Sequence, residues 1–256
     1  MEAIFEQIRE YGIMPLVTLK RAEDARLIGK ALTDCCLPVA EVTFRTDQAE
    51  EAIRIFREEF PQILVGAGTV LTPEVADRAI EAGASFILSP GLNPETVQHC
   101  QRRGVAVLPG CMTPTDLEQA KRLGLEAVKY FPITQMGGIE TLKSISAPFG
   151  EMKFLVTGGV RDENVAEYLS FPKVISCGGS WMIREQRLRE KDLEGLKEDI
   201  NRSIAAMLQL RLGPVGLWAP EAEGEGVTIT TCDLDRAAAY YKRKRLTVRL
   251  LARTGQ

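Results

Sequence analysis

Short apolar runs recur along the first two thirds of the chain about every 20 to 25 residues, and a segment of helical periodicity follows each. The runs predict strands over Ile13–Leu19, Val39–Phe44, Ile63–Gly66, Phe86–Ser89, Val105–Leu108, Ala127–Phe131, Lys153–Val156 and Val174–Cys177. Helix starts between them are marked chemically. Thr72-Pro73-Glu74 and Asn93-Pro94-Glu95 each offer a capping side chain, a proline at the first helical position and an acid in the first turn. Thr113-Pro114 or Thr115-Asp116 opens the next helix, and Gly83, Gly104 and Gly124 stand where helices end in a left-handed residue. Met1 to Arg9 reads as an amphipathic helix ahead of the first strand, placed to cover one end of the sheet.

Eight β/α units in succession predict an α/β fold, a closed parallel (β/α)8 TIM barrel with that extra N-terminal helix. An open doubly wound sheet is the alternative, but no glycine-rich turn has the spacing of a dinucleotide fingerprint. The C-terminal part breaks the pattern. A charged helix from about Glu185 to Leu210 leads to Gly213-Pro214 and a Gly/Glu-rich stretch that reads as a linker. Beyond it, Val227–Thr231 reads as a strand, Asp233–Lys244 as a helix and Leu246–Leu251 as a strand. The expected division is thus a barrel over 1–212, a linker over 213–226 and a small β-α-β extension over 227–256.

Charge and composition narrow the function. A net charge of −3 leaves no basic footprint for nucleic acid, and no apolar stretch reaches the ~20 residues of a membrane span. The N-terminus lacks the apolar core of a signal peptide. Six cysteines without a paired framework fit reduced thiols and a cytoplasmic protein. A single histidine, His99, and no Cys-x-x-Cys pair argue against a metal site.

Chemistry in such barrels gathers where strands end. Lys129 is one cationic residue inside the apolar run Ala127-Val128-Lys129-Tyr130-Phe131-Pro132. An amine held there loses hydration and becomes a candidate nucleophile; lysine is the side chain that forms Schiff bases with ketones. The bland alternative is an edge lysine that snorkels outward. With a two-residue period, Glu41, Thr43 and Arg45 share one side of the second strand. Glu41 could shuttle protons for imine chemistry or simply pair as a buried ion. Arg45 suits a substrate carboxylate, with a hydrogen bond from Thr69. Gly158, Gly159, Gly179 and Ser180 follow the last two predicted strands with backbone N–H groups open to a phosphate.

The ordered set Glu41-Val-Thr-Phe-Arg-Thr46, Gly66-Ala-Gly-Thr-Val-Leu71, Ser89-Pro-Gly-Leu92, Val128-Lys-Tyr-Phe-Pro132, Thr157-Gly-Gly159 and Gly178-Gly-Ser-Trp181 resembles the bifunctional 2-keto-3-deoxy-6-phosphogluconate (KDPG) and 4-hydroxy-2-oxoglutarate (KHG) aldolases. The resemblance runs from about Ile13 to Met182. It implies a class I aldolase that needs no metal or other cofactor, forms a homotrimer, and takes a keto-acid sugar phosphate to pyruvate and glyceraldehyde 3-phosphate. Lys129 would form the Schiff base and Glu41 would move protons. Arg45 and Thr69 would hold the carboxylate end, and Gly158, Gly159, Gly179 and Ser180 the phosphate.

Two departures touch substrate preference rather than reaction class: Ile133-Thr134 stands where relatives often have Ala-Glu, and Val156 where they have proline. A galactonate-derived substrate is therefore an alternative, as is a non-covalent phosphosugar isomerase or epimerase in which Lys129 is only an electrostatic clamp. A third possibility is a barrel that binds a phosphosugar without transforming it. The C-terminal phrase Gly226-Val-Thr-Ile-Thr-Thr-Cys-Asp-Leu-Asp235 resembles one piece of a glyoxalase-like (vicinal oxygen chelate) module without its metal ligands.

Overall fold

Strands of a closed parallel barrel face the barrel interior on one side and the helices on the other, so both faces are apolar and the runs lack polar alternation. The computed structural model describes residues 2–217, 225–231 and 233–245. Helix α1 (Glu2–Tyr11) precedes strand β1 (Ile13–Val17). There follow α2 (Asp24–Asp34), β2 (Val39–Thr43), α3 (Ala49–Glu59), β3 (Leu64–Gly68), α4 (Pro73–Ala82), β4 (Phe86–Leu88) and α5 (Pro94–Arg102). The second half contains β5 (Ala106–Leu108), β6 (Gly110–Cys111), α6 (Pro114–Arg122), β7 (Ala127–Tyr130), α7 (Gly138–Ser146), β8 (Lys153–Thr157), α8 (Val165–Leu169) and β9 (Val174–Gly179).

The sheet runs in the order β5-β4-β3-β2-β1-β9-β8-β7-β6 and every pairing in it is parallel. β5 and β6 are two pieces of one stave, parted at Pro109, which has no N–H to donate. Its carbonyl still accepts from Lys129 N at 2.9 Å, so eight staves bring the sheet round on itself, as the strand–helix alternation predicts. All eight predicted strands are present within one to two residues at each end.

The marked helix starts act as expected. Thr72 Oγ1 accepts from Val75 N, and Asn93 Oδ1 from Glu95 N at 3.0 Å. The choice between Thr113 and Thr115 falls on Thr113, which forms a reciprocal capping box with Asp116. Gly83, Gly104 and Gly124 all have positive φ at helix ends. The single helix expected from Glu185 to Leu210 is instead two, α9 (Glu185–Glu190) and α10 (Leu193–Leu208). Lys191 turns left-handed there, with φ of 54°, and Asp192 caps the new helix by accepting from Gly195 N. Neither glycine nor proline marks that break.

Part of the expected linker is a strand. β10 (Arg211–Leu217) pairs antiparallel with β11 (Glu225–Thr230), which contains most of the predicted Val227–Thr231 strand. The predicted helix follows as α11 (Leu234–Arg243), whereas the predicted Leu246–Leu251 strand lies outside the described residues. α11 packs beneath the barrel, beside α1. Arg236 Nε donates to Arg9 O at 3.2 Å, and Arg243 Nε to Cys36 O at 3.1 Å with its guanidinium 5.1 Å from the Tyr11 ring. Gly12 and Cys36 precede β1 and β2, so this is the end opposite the catalytic loops of a barrel. No helix among the described residues is long and apolar enough to cross a membrane.

Gly12 ends α1 with φ of +74°, and a Cβ there would lie 2.6 Å from Arg236 Cδ and 2.7 Å from Met207 Sδ. Gly12→Ala is expected to lower stability by about 1–3 kcal/mol, through both backbone strain and the displaced Arg236. Denaturant unfolding checks this; an unchanged midpoint would contradict the packing of α11 described above.

Candidate active site

Two glycines open the interior of the barrel for the polar pair at its centre. A Cβ on Gly66 would fall on the Phe86 ring, and one on Gly68 would fall on the Glu41 carboxylate. Gly66 and Gly68 are two apart on β3, so both face inward, and β3 supplies bare backbone where β2 and β4 supply bulk. Glu41 occupies that space fully buried on β2, level with Gly66 in register.

Lys129 reaches it from β7. Its Nζ lies 3.2 Å from Glu41 Oε1, and both side chains are almost wholly out of solvent. The second oxygen, Glu41 Oε2, is buried and has no hydrogen-bond partner among the described residues. A buried carboxylate oxygen with nothing to accept from is costly, and it leaves an acceptor free for a water or a substrate hydroxyl. The Lys129 ammonium also lies 5.6 Å from the centroid of the Phe131 ring, which stands one pleat nearer the loops.

Arg45 and Thr69 come together above this pair. Arg45 is exposed just past the end of β2, and its Nε donates to Thr69 Oγ1 at 3.3 Å. Thr69 has φ of 59°, a left-handed conformation that disfavours a β-branched residue by about 1–2 kcal/mol. Backbone bonds on each side hold it there, Phe44 N to Gly68 O at 2.8 Å and Val70 N to Leu88 O at 3.1 Å. Strain of this kind gathers at functional sites.

The glycine-rich turns sit on neighbouring staves. Thr157 pairs in register with Gly178, so Gly158-Gly159 and Gly179-Ser180 leave the barrel side by side. Gly158 and Gly159 both have positive φ, at 93° and 82°. A Cβ on Gly158 would lie 3.1 Å from the Phe131 ring, so Phe131 spans the distance between Lys129 and this turn.

Two residues join the site that residue chemistry alone did not single out. Phe131 is one; Thr157 is the other, with a buried Oγ1 that has no hydrogen-bond partner among the described residues. The two-residue period that puts Glu41 and Arg45 on one side also puts Leu155 and Thr157 on one side of β8, and that signal could have found it. Ile133, one of the departures that touch substrate preference, is fully buried in the apolar core. Cys111, next to the site on β6, is not a competing nucleophile, since burial and then Asp116 push its thiol up to about 12. Burial likewise raises the phenol of Tyr130, which packs edge-on against Phe154 on the outer face of the barrel wall.

Among the described residues, no three His, Cys, Asp or Glu side chains converge as metal ligands would. His99 hydrogen-bonds Asp77 at 2.9 Å between the outer helices α4 and α5.

Known proteins of similar sequence and fold exist. A family profile described as KDPG and KHG aldolase covers residues 4–198. The 2-dehydro-3-deoxy-phosphogluconate aldolase of Treponema pallidum is 43% identical over 85% of this chain and 100% of its own length. A KDPG aldolase from Legionella pneumophila, with pyruvate captured as a covalent carbinolamine intermediate, superposes with a TM-score of 0.74 at 33% identity, over 77% of this chain and 96% of that one. The Zymomonas mobilis enzyme with 3-phosphoglycerate gives 0.73 at 34% identity, over 78% and 94%. With a profile spanning most of the barrel and full-length relatives well above 30% identity, the chain belongs to the KDPG and KHG aldolase family.

Proposed function

We propose that this protein is a class I aldolase that cleaves KDPG to pyruvate and glyceraldehyde 3-phosphate through a Schiff base on Lys129, and that it also cleaves KHG to pyruvate and glyoxylate. The observation that carries this reading is the buried contact of Lys129 Nζ with Glu41 Oε1 at 3.2 Å, beside a second carboxylate oxygen with no partner among the described residues. A lysine that only clamped an anion would need no proton acceptor buried with it. The covalent pyruvate adduct of the Legionella relative supports the same chemistry.

Lys129 passes a proton to Glu41 and attacks C2 of the keto acid. Glu41 returns the proton to the carbinolamine oxygen, water leaves, and a protonated imine remains. That cation draws the electrons of the C3–C4 bond as Glu41, through a water on its free oxygen, takes the C4 hydroxyl proton. Glyceraldehyde 3-phosphate departs, and the enamine left on Lys129 is protonated at C3. Water then adds to the imine and releases pyruvate and the free amine. No external cofactor enters the sequence.

Arg45 and Thr69 bind the substrate carboxylate in this reading, with the Arg45 fork freed from its present bond to Thr69. Gly158, Gly159, Gly179 and Ser180 bind the phosphate through backbone N–H groups and the Ser180 hydroxyl. The 3-phosphoglycerate of the Zymomonas relative supports a phosphate-bearing ligand. A homotrimeric assembly and a cytoplasmic location belong to the same proposal and rest on the family resemblance. So does the division into a catalytic barrel, residues 1–212, and an accessory extension whose helix lies at the far end from the site.

Incubation with pyruvate and borohydride, followed by peptide mass spectrometry, is expected to place a reduced adduct on Lys129. The absence of any adduct would sink the Schiff-base mechanism. Glu41→Gln is expected to reduce kcat by about 10²–10⁴-fold, since it removes the proton acceptor while keeping the shape. Gly68→Ala, which displaces the same carboxylate, is expected to cost about 100-fold; full activity in either variant would exclude Glu41 as the shuttle. Removing the residues after 212 is expected to leave kcat/KM for KDPG within about threefold per trapped active site, because chemistry belongs to the opposite face.

A further inference from the structure

Two loops of the mouth are tied together by groups far apart in the chain. The first runs from Gly158 to Asn164 after β8, and the second from Ser180 to Arg184 after β9. Asp162 in the first loop accepts on Oδ1 from Trp181 Nε1, in the second loop, at 2.7 Å. The same oxygen accepts from Ser203 Oγ at 2.6 Å, and Trp181 Nε1 also lies 2.9 Å from Ser203 Oγ. Asp162 Oδ2 accepts from Arg202 Nε at 3.2 Å. The three side chains form a closed triangle, and Ser203 in it is fully buried on α10.

The triangle is fastened at both ends. On α10, Arg202 also bonds the fully buried Asp199 at 2.5 Å, and Asp199 is held from the second loop side by Arg187 Nε at 3.2 Å. Toward the mouth, the Trp181 indole lies against Gly179, where a Cβ would stand 2.5 Å from ring carbons Cε3 and Cζ3. Within the first loop, Asn164 Nδ2 donates to Gly159 O at 3.0 Å while its Oδ1 accepts from Arg161 N at 2.8 Å. The backbones of Gly159 and Gly179 are therefore each set by a side chain of their own loop. Asp162 is the direct hydrogen-bond link between those loops.

A carboxylate beside an anion site calls for a reason, because it repels the ligand. Here its charge is matched by Arg202 and its lone pairs face Trp181, Ser203 and Arg202. This geometry uses Asp162 as an anchor for Trp181, Ser203 and Arg202. A phosphate held between two turns needs donors at a fixed separation, and geometry loosened by about an ångström costs much of the binding.

We infer that Asp162, with Trp181 and Ser203, is a positioning unit that sets the separation of the Gly158-Gly159 and Gly179-Ser180 turns and so confers preference for phosphorylated keto acids. The inference rests on the proposed phosphate role of those turns. None of the three side chains touches the reacting atoms, so imine formation with pyruvate, which carries no phosphate, proceeds without them.

Two variants test it in the full-length protein. Trp181→Phe keeps an aromatic ring beside Gly179 while removing the indole N–H and the fused second ring; Asp162→Ala deletes the shared acceptor. Each is expected to raise KM for KDPG and Kd for 3-phosphoglycerate, measured by calorimetry, about tenfold. kcat and the rate of borohydride trapping with pyruvate should stay within about threefold. The double variant should be no weaker than the weaker single one, because both break one linkage. Unchanged 3-phosphoglycerate affinity in Trp181→Phe, or an equal loss in pyruvate trapping, would overturn the inference. If Asp162→Ala does not fold, Trp181→Phe alone decides. Failure of the aldolase reading is separately visible: the unaltered chain would then form no pyruvate adduct at all, whatever its affinity for 3-phosphoglycerate.

Discussion

Burying a cation and a carboxylate inside an apolar barrel sets the terms for everything around them. Desolvating such a pair costs several kcal/mol per ion, and their mutual attraction offsets this only when they are close and well placed. Lys129 and Glu41 meet that condition from opposite halves of the sheet, β7 and β2, which only a closed barrel brings face to face. Room for them comes from β3, where Gly66 and Gly68 present no side chain. The pair is also incomplete, since Glu41 Oε2 has no partner among the described residues. Complete satisfaction would make a better structural ion pair and a poorer proton shuttle.

Outward from that pair the site becomes progressively more exposed and more strained. Phe131 carries the wall from the lysine to the Gly158 turn, Thr69 holds an unfavourable backbone angle beside Arg45, and glycines with positive φ form the rim. The opposite end of the barrel shows the contrary character. There α1 and α11 lie against one another, Arg236 caps a free carbonyl of α1, and Gly12 turns under them in close contact. Stability is concentrated at one face and chemistry at the other, as the polarity of a parallel barrel allows.

Much of this was legible in the chain because it rests on local rules. Strands, helix caps at Thr72, Asn93 and Thr113, and glycine stops follow from periodicity and backbone chemistry, and they appear where expected. The reading failed where no local marker exists. The helix break at Lys191 uses an ordinary residue in a left-handed conformation, stabilised by a cap from Asp192. Residues 213–217 read as linker because Gly213 and Pro214 suggest a turn, yet pairing with β11 makes them part of a strand. The Thr157 hydroxyl, buried beside the glycine turn, carries no local marker apart from the two-residue period of β8.

The repeating β/α order, the polar character of the strand ends and, through ordered motifs, the family are all written in the chain. Those are properties of neighbours along the chain, fixed by spacing of two or 3.6 residues and by the backbone preferences of glycine and proline. Which of the candidate groups meet depends on how the barrel closes. Glu41 and Lys129 are 88 positions apart and Asp162 and Ser203 are 41 apart, so neither contact follows from local pattern. Barrel closure sets the first and the packing of α10 against the mouth loops sets the second. That is also why Asp162, an unremarkable acid in a polar loop, acquires a place in the site only once the chain has folded.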